Sequence, residues 1–578
     1  MKDFEIYYTS DTHGKILPVD YATGETRSYG LSNMAVDLKK RGVEPCSSPS
    51  VSKCAEHVDN EHTNEAFANK GYADNEHADK GRSAEERAAN SKDFIESNKR
   101  FLRETHVSKD SDVLVLDGGD SLQGTPMITY YLEHSDSFSF HPVAEAFNAM
   151  GLDFYTLGNH DFNNGYDVIR DYVNALQGTL LIANVEDLRG EIRHKKYVIC
   201  TLASGLRVGI TGVVTDYVNV WEQPANLTEL RVTDPLSAAD EMYKLMQQEG
   251  CDITICIYHG GYEEELESHI KLTGSRENIA CEMCHKLNYD IMLTGHQHMA
   301  VPGLDLYGTW SVQPPANAEC YIYLKGSFDE DHGLSCTSDL ISVGDETDEA
   351  VKSVIMPLEE LTEKWLDEAI GEFKDEIEPE DKLDIALHGS KVAALFNQVQ
   401  LESAESDFSC TSIGNTEIGF KKHVSIRDIF AAYTFANTSE VKEVTADILK
   451  SALERCAQYL DLDADGKPYI SDVFMKPKIE HYNYDFYAGL DYAFDLRRPV
   501  GDRVVRMRML DGTPLDPNKK YKLITSNYRA TGTGGYEMIG KAKTVFSTAD
   551  NVQDLLVDYV RRHHELVIPD NYKFEVLY

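Results

Sequence analysis

Over the first 340 residues, short apolar runs alternate with longer stretches in which apolar residues recur at helical spacing. Runs of about five residues rich in valine, isoleucine, leucine and tyrosine are typical of buried strands, and their alternation with helices predicts an α/β layered domain. We expect strands at Phe4–Ser10, Asp112–Asp117, Asp153–Leu157, Leu180–Ala183, Val208–Gly212, Asp252–Tyr258 and Asp290–Thr294.

One segment between the first two predicted strands breaks this pattern. Residues from about 42 to 97 contain few large apolar side chains, and the tetrapeptide Asp-Asn-Glu-His occurs at 59–62 and again at 74–77. A segment of this composition cannot bury enough apolar surface to fold by itself. We therefore expect a low-complexity insertion at the surface of the first domain.

The pattern changes again after residue 344, which divides the chain into three parts. Residues 345–373 carry apolar positions at helical spacing among many acids and predict a helical connector. The first domain then covers 1–344 and a second domain covers 374–578. In the second domain we expect helices at Lys391–Glu405 and Ala446–Leu460, and strands at Tyr492–Asp495, Lys522–Ser526 and Lys573–Leu577.

Composition and charge restrict the kind of partner. A chain of 578 residues is too long for one ordinary core. The 56 lysines and arginines and 97 acidic residues give a net charge of −41. The surface as a whole should therefore repel nucleic-acid polymers and anionic membranes. No signal peptide or membrane-spanning run is visible, and the 11 scattered cysteines suit reduced thiols. We expect a cytoplasmic protein, or an extracellular or periplasmic one if an export signal has been removed.

Candidate chemistry lies where the predicted strands end. Metal-competent side chains follow five of the strands almost at once, and the carboxyl ends of strands in an open α/β sheet form the ligand crevice. These side chains are Asp11 and His13, Asp120, Asn159 and His160, His259, and His296 and His298.

This set holds more ligands than one tetrahedral ion needs. It fits two divalent ions that share a carboxylate, a pair that clamps a phosphoryl group and generates hydroxide at neutral pH. Mixed nitrogen and oxygen ligation favours Mn²⁺, Zn²⁺, Fe or Co²⁺ over Mg²⁺ alone. Bound metal would supply the positive centre that the acidic surface lacks.

The order of these motifs resembles a known family. Asp-x-His at 11–13, Gly-Asp-x-x-x-Gly at 119–124, Gly-Asn-His-Asp at 158–161, an isolated histidine and Gly-His-x-His at 295–298 are similar to the calcineurin-like metallophosphoesterases. Within them, the chain resembles the 5′-nucleotidase / 2′,3′-cyclic-nucleotide 2′-phosphodiesterase family. This resemblance implies a four-layer αββα catalytic domain followed by a smaller α+β domain of the 5′-nucleotidase C-terminal type.

The resemblance also implies how the site residues divide their roles. His160 would be the catalytic histidine that stabilises developing negative charge, and Asn159 would help to position the phosphate. Asp120 would bridge the two ions. One ion would be held by Asp11, His13, Asp120 and His298, and the other by Asp120, Asn159, His259 and His296.

In the second domain, the resemblance implies a pocket for a nucleotide base. Residues 433–437 and 525–530 resemble segments in which two aromatic side chains sandwich the base, a contact that tolerates any base because every base has a π-face. The implied substrate-binding residues are Tyr433, Phe435, Asn437, Gly489 and Tyr528.

Departures from the family pattern favour one branch of it. The 5′-nucleotidase branch carries substrate-holding arginines where residues 395–414 contain none, and it has an aspartate where Asn163 stands. The aspartate of its Gly-Gly-Asp-Gly-Tyr motif is also missing at 532–536. We therefore expect a phosphoric ester hydrolase that opens 2′,3′-cyclic nucleotides and removes the 3′-phosphate.

Two alternatives stay open at this point. One is a 5′-nucleotidase or broader nucleotide phosphomonoesterase. The other is a non-catalytic nucleotide-binding protein on the same scaffold. In each case the expected partner is a small-molecule nucleotide, with no nucleic-acid polymer and no membrane.

Overall fold

The predicted strands of the first domain are all present in the computed structural model, which describes residues 1–43, 106–222, 224–271, 276–434, 437–476, 479–548 and 551–578. They lie at Lys2–Thr9, Val113–Asp117, Phe154–Tyr155, Thr179–Leu181, Arg207–Val214, Ile253–His259 and Ile291–Thr294. The predicted insertion from residue 44 onwards and Phe435 lie outside the described residues.

Within the described residues, these strands belong to two mixed sheets of seven strands each. The first sheet has the order Gly333–Ser342, Cys320–Asp329, Lys2–Thr9, Val113–Asp117, Phe154–Tyr155, Thr179–Leu181 and His194–Lys195. The second has the order Val301–Leu306, Thr309–Gln313, Ile291–Thr294, Ile253–His259, Arg207–Val214, Tyr197–Thr201 and His106–Ser108. In each sheet the central strands that precede the predicted site run parallel, so their carboxyl ends lie at one edge.

The two sheets pack face to face because alternate side chains of each strand are apolar. Phe4, Ile6 and Tyr8 of the first sheet share one buried cluster with Ile255 and Ile257 of the second. Side chains two residues apart point to the same face of a strand, so a single register places all of them between the sheets.

Helices cover the outer face of each sheet. The first sheet is covered by Leu31–Lys40, Pro126–Glu133, Pro142–Met150 and Gly165–Ala175. The second is covered by Pro235–Gln248 and Ala280–Lys286. The short helix Val218–Trp221 follows strand Arg207–Val214. The predicted four-layer αββα arrangement is therefore confirmed.

The connector is a helix from Glu349 to Leu366, which packs against helices Pro126–Glu133 and Pro142–Met150. The helix ends earlier than predicted. Residues Ala369–Phe373 form a strand that pairs with two short strands of the second domain, because backbone partners there satisfy its N–H and C=O groups. The division into 1–344, 345–373 and 374–578 stays a prediction.

The second domain mixes sheets and helices, which confirms the α+β prediction. Its larger sheet consists of Asp485–Ala488, Phe408–Ser412, Tyr521–Ser526, Ser439–Val444 and Lys543–Ser547. Smaller sheets contain Val504–Met509, Leu490–Asp495 and Lys573–Leu577, and His423–Ser425, Ala369–Phe373 and Glu565–Leu566. The helices are Lys382–His388, Lys391–Ser403, Ile426–Ala432, Ala446–Ala457, Asn527–Ala530, Glu537–Gly540 and Val552–His563.

Short strand pairs and single helical turns complete the described fold. The pairs are Val19–Asp20 with Glu25–Thr26, Val185–Asp187 with Leu230–Val232, and Leu460–Leu462 with Pro468–Ile470. The single turns are Ser135–Ser137, His160–Phe162, Asp472–Phe474 and His481–Asn483. None of the helices formed by the described residues has the length and apolar character that crossing a bilayer requires.

Candidate metal centre

The predicted site residues lie in loops that leave the parallel strands at one edge of the two sheets. Their backbone is unusual, since Asp11, His13, Asp120, His296 and His298 all have φ between 48° and 73°. Non-glycine residues seldom adopt this left-handed conformation, which costs about 1–3 kcal/mol per residue and persists where the surrounding structure enforces it. The fold therefore holds these five side chains in place at a cost in local strain.

Asp161 supplies part of the force that holds the Asp120 loop. Its buried carboxylate accepts backbone N–H hydrogen bonds of 2.8–2.9 Å from Gly158, Asp120, Ser121 and Leu122. Burial raises the pKa of this carboxyl to about 6, and the neighbouring Asp120 carboxylate adds to the shift.

The first metal-competent group consists of Asp11, His13 and His298, whose ligand atoms lie within 4.8 Å of one another. The Nε2 atoms of the two histidines are 3.0 Å apart, and His298 Nε2 is 3.5 Å from an Asp11 oxygen. His13 Nδ1 lies 3.2 Å from the Gln123 carbonyl oxygen, so a proton on Nδ1 leaves the Nε2 lone pair facing the cluster.

The second group consists of Asp120, His259 and His296, again with ligand atoms within 4.8 Å of one another. His259 Nε2 lies 3.2 Å from an Asp120 oxygen and 3.1 Å from Asn159 Oδ1. The second ring nitrogen of His259, Nδ1, lies 2.7 Å from the Gly118 carbonyl oxygen. Asn159 thus joins this group.

The charges of the cluster are strongly coupled. Burial by itself raises the pKa of the Asp120 carboxyl, but His259 and His160 hold it well below its ordinary value. Burial lowers the pKa of His13 to about 4, and the nearby His298 adds to the shift. Burial would also lower the pKa of His259, but the Asp120 carboxylate raises it to about 10. Metal binding must therefore displace a proton at His259, while His13 is already neutral at pH 7.

This donor set fits divalent cations. Asp11 and Asp120 are fully buried carboxylates whose pKa values lie below the ordinary range, because neighbouring histidines outweigh the effect of burial. Buried carboxylates that stay ionised require nearby positive charge. A proton on Nδ1 makes the Nε2 of His13 an acceptor, and the Nε2 of His298 lies 3.0 Å from it, so a proton or a cation can lie between the two nitrogens.

His160 lies beside the cluster, with its ring centroid 5.7 Å from that of His13. Its backbone N–H donates to Asp120 Oδ1 at 2.7 Å. Burial lowers the pKa of the imidazole. Within the part of the chain that the structure describes, no hydrogen-bond partner reaches His160 Nδ1.

A cleft of about 1290 Å³ connects the cluster to the second domain. A hydrogen bond also joins the two domains, since Gln123 Nε2 donates to Asn551 Oδ1 at 2.5 Å. Among the predicted substrate-binding residues, Asn437 and Tyr528 line the cleft. The Tyr528 hydroxyl donates to Asn483 Oδ1 at 3.4 Å.

Two predicted substrate-binding residues do not line this cleft. Tyr433 is 3% exposed and packs edge-to-face against Phe396 with ring centroids 5.2 Å apart, so its aromatic ring belongs to the domain core. Gly489 joins two strands with φ of 84°, and a Cβ atom there would lie 2.5 Å from the Asp407 carbonyl oxygen. The close approach explains this glycine by backbone packing rather than by ligand contact.

Several cleft residues carried no signal in the sequence. Trp221 stacks on His296 with centroids 5.3 Å apart, and Glu277 Oε1 lies 3.0 Å from His296 Nε2. Both lie far from His296 in sequence, and only the fold brings them to it. Asn527 and Thr531 also line the cleft, and their position beside Tyr528 could have indicated them.

One edge of the two sheets thus carries two groups of histidines and carboxylates, each of which could hold a metal ion. The family model for calcineurin-like phosphoesterases matches residues 5–300, and the model for the 5′-nucleotidase C-terminal domain matches residues 369–541. The chain belongs to the calcineurin-like phosphoesterase family, and a 5′-nucleotidase C-terminal domain follows the phosphoesterase domain.

Three known proteins are similar to this chain over most of its length. The trifunctional nucleotide phosphoesterase protein YfkN of Bacillus subtilis is 23% identical over 529 residues, which are 79% of this chain and 35% of that protein. The 2′,3′-cyclic-nucleotide 2′-phosphodiesterase/3′-nucleotidase of Haemophilus influenzae is 23% identical over 535 residues, 80% of each chain. A Staphylococcus aureus crystal structure, described as a candidate 5′-nucleotidase in complex with alpha-ketoglutarate, is 27% identical, with a TM-score of 0.69 and full coverage of both chains.

Proposed function

We propose that this chain is a dinuclear-metal nucleotide phosphoesterase that opens 2′,3′-cyclic nucleotides and then removes the remaining 3′-phosphate. The observation that carries the proposal is the make-up of the cleft. The first-domain wall of the cleft holds the metal-competent cluster. The second-domain wall offers Asn437, Asn527 and Tyr528, and the described residues of this second wall include no lysine or arginine. A substrate held by its base and cleaved at the ribose does not need cations on that wall.

In this proposal the metal ligands divide as the motifs suggest. Asp11, His13 and His298 would hold one cation, His259, His296 and Asn159 would hold the other, and Asp120 would serve as a ligand for both. When bound, the two cations supply Lewis acidity that neutralises phosphoryl oxygens and lowers the pKa of water. Mn²⁺, Zn²⁺, Fe and Co²⁺ suit the mixed nitrogen and oxygen donors.

The remaining chemistry belongs to the side chains around the phosphorus. His160 donates a ring N–H to the developing negative charge, either on a phosphoryl oxygen or on the leaving ribose oxygen. The lowered pKa of His160 does not prevent this donation, because one ring nitrogen of a neutral imidazole still carries a proton. The Asn159 amide orients the phosphate, and Tyr528 stacks on the base.

Two findings support the cyclic-nucleotide branch over the 5′-nucleotidase branch. Asn163 stands where the 5′-nucleotidase branch carries an aspartate, and His160 Nδ1 has no partner among the described residues.

The test is a comparison of 2′,3′-cyclic AMP, 3′-AMP and 5′-AMP as substrates in the presence of Mn²⁺. We expect kcat/KM to be largest for 2′,3′-cyclic AMP, intermediate for 3′-AMP and smallest for 5′-AMP. A clear preference for 5′-AMP would instead establish the 5′-nucleotidase activity, which the matching C-terminal domain and the similar Staphylococcus aureus structure also support.

A further inference from the structure

His296 differs from His13 and His259 in the partner of the ring nitrogen that faces away from the metal-competent cluster. In His13 and His259 that nitrogen lies against a backbone carbonyl oxygen, at 3.2 and 2.7 Å. In His296, Nε2 lies 3.0 Å from the Glu277 carboxylate. A carboxylate partner fixes the tautomer of a metal-binding histidine and makes its other nitrogen more basic than a carbonyl partner does.

Glu277 is itself held in place by buried groups. Its carbonyl oxygen accepts hydrogen bonds from Thr215 Oγ1 at 2.8 Å and from the Tyr258 hydroxyl at 3.4 Å. Both donors are fully buried, and both lie on or next to central strands of the second sheet. The adjacent Asn278 side chain accepts the Gly261 N–H at 2.7 Å. The position of the Glu277 backbone is thus set by the same sheet that positions the cluster.

Trp221 restrains the imidazole from a second direction. Its ring stacks on His296 with centroids 5.3 Å apart and planes at 29°, while Glu277 contacts the edge of the same imidazole. One contact limits tilt of the ring and the other limits its rotation. Together they leave Nδ1 as the ring nitrogen available to a ligand.

We propose that Glu277 is a positioning residue for the metal site formed by Asp120, His259 and His296. It accepts the His296 Nε2–H and thereby presents Nδ1 as a basic, correctly oriented ligand. The inference rests on the ligand set in the proposed function. It extends that set to a carboxylate outside the metal-ligand motifs.

The test is metal affinity, measured without a nucleotide. The apo form of the whole chain is titrated with Mn²⁺ while electron paramagnetic resonance reports free Mn²⁺. We expect two ions per wild-type chain. In the Glu277→Gln variant we expect one site to keep its affinity and the other to weaken about 10- to 100-fold, the usual effect of removing such a partner. Unchanged circular dichroism spectra and melting temperatures check that the fold is retained.

Glu222→Gln is the matched control. Glu222 lines the same cleft and carries the same charge, but its carboxylate accepts from the Asn226 side chain at 2.8 Å. We expect this variant to bind both ions as the wild type does. Equal weakening in the two variants would attribute the effect to total charge and overturn the positioning role.

The remaining outcomes separate this inference from the proposed function. If each site binds Mn²⁺ as tightly in Glu277→Gln as in the wild type, the role of Glu277 is overturned and the metal centre stays intact. Fewer than two ions in the wild type overturns the dinuclear centre and this inference with it. A different preferred nucleotide changes neither result, because the titration contains Mn²⁺ alone.

Discussion

The two walls of the cleft differ in where they place charge. On the first wall, ionisable side chains reach the cleft, and four of them, on His13, Asp120, His296 and His298, belong to residues with positive φ. The second wall presents amide, hydroxyl and aromatic side chains together with three carboxylates, Glu417, Asp428 and Glu440. The positively charged side chain next to Tyr528 in sequence, Arg529, lies beneath the surface. It pairs with Asp485, and both side chains are 2% exposed.

This difference separates chemistry from recognition. Charge at the surface of the first wall can hold metal ions and act on a phosphate, and the strain in its loops is the cost of aiming those groups. Charge buried under the second wall instead fixes the shape of the loop that carries Tyr528. Arg529 donates to the Tyr482 carbonyl oxygen at 3.1 Å and lies 3.9 Å from the Tyr536 ring centroid. Substitutions should therefore change turnover on one wall, and stability or substrate affinity on the other.

The largest effect is expected from Asp120→Asn on the first wall. Loss of the carboxylate proposed to be a ligand for both metal ions should lower kcat by about a thousandfold or more, since metal ions supply several kcal/mol of charge stabilisation. Steady-state kinetics and metal analysis measure the loss, and circular dichroism checks the fold. Full activity in this variant would refute the role of the cluster in catalysis.

The second effect concerns the ion pair beneath the other wall. Arg529→Met leaves the buried Asp485 carboxylate without its partner, which costs about 3–5 kcal/mol of stability. We expect a clear fall in melting temperature by calorimetry. Arg497→Met, which breaks a surface pair with Asp495 at 60% exposure of the arginine, is the control and should change little. Equal melting temperatures for the two variants would contradict the structural role of Arg529.

The third effect tests the helix that joins the two walls. Glu359 is 6% exposed and accepts a hydrogen bond from the Tyr21 hydroxyl at 2.7 Å. Burial raises its pKa to about 7. The folded state thus binds a proton more tightly than the unfolded state, and this group lowers stability progressively as the pH rises from about 4.5 to 7.

Glu359→Gln should therefore raise the melting temperature at pH 8 and leave it nearly unchanged at pH 4.5. The upper limit of the gain is about 3 kcal/mol, from a shift of about two pKa units. Thermal melts at the two pH values measure it. An equal change at both pH values would show that ionisation of Glu359 is not the cause.

The smallest effect is expected from Tyr528→Ala on the second wall. Loss of base stacking is worth about 1–3 kcal/mol, so KM for 2′,3′-cyclic AMP should rise about 10- to 100-fold with kcat retained. Tyr528→Phe keeps the ring and should behave as the wild type. With bis(p-nitrophenyl) phosphate, which has no base, Tyr528→Ala should hydrolyse as fast as the wild type. A parallel loss on this substrate would place Tyr528 in the chemistry and break the comparison of the walls.

Much of the fold could be predicted from local patterns. The run Asp252–Tyr258 corresponds to strand Ile253–His259, because a strand buried on both faces must be continuously apolar. The closing strand was predicted at its observed ends, Lys573–Leu577. The helical pattern was extended too far at Ala369–Phe373, where pairing with distant strands overrides local preference.

The second-domain pocket could be predicted less well. Tyr433 was expected at the base, but its side chain is buried against Phe396. A buried aromatic and a cleft aromatic are alike in sequence, since both are large and apolar.

The sequence by itself determined which residues form the candidate metal site. Metal-competent side chains directly follow apolar runs, and the carboxyl ends of such parallel strands lie at one edge of the sheet. Only the tertiary structure decided what surrounds those side chains. Trp221, at the end of a short helix, and Glu277 both contact His296, and Arg529 pairs with Asp485, which lies 44 residues away in sequence. Such contacts join residues that are distant in sequence, and they follow from packing rather than from any local pattern of residues.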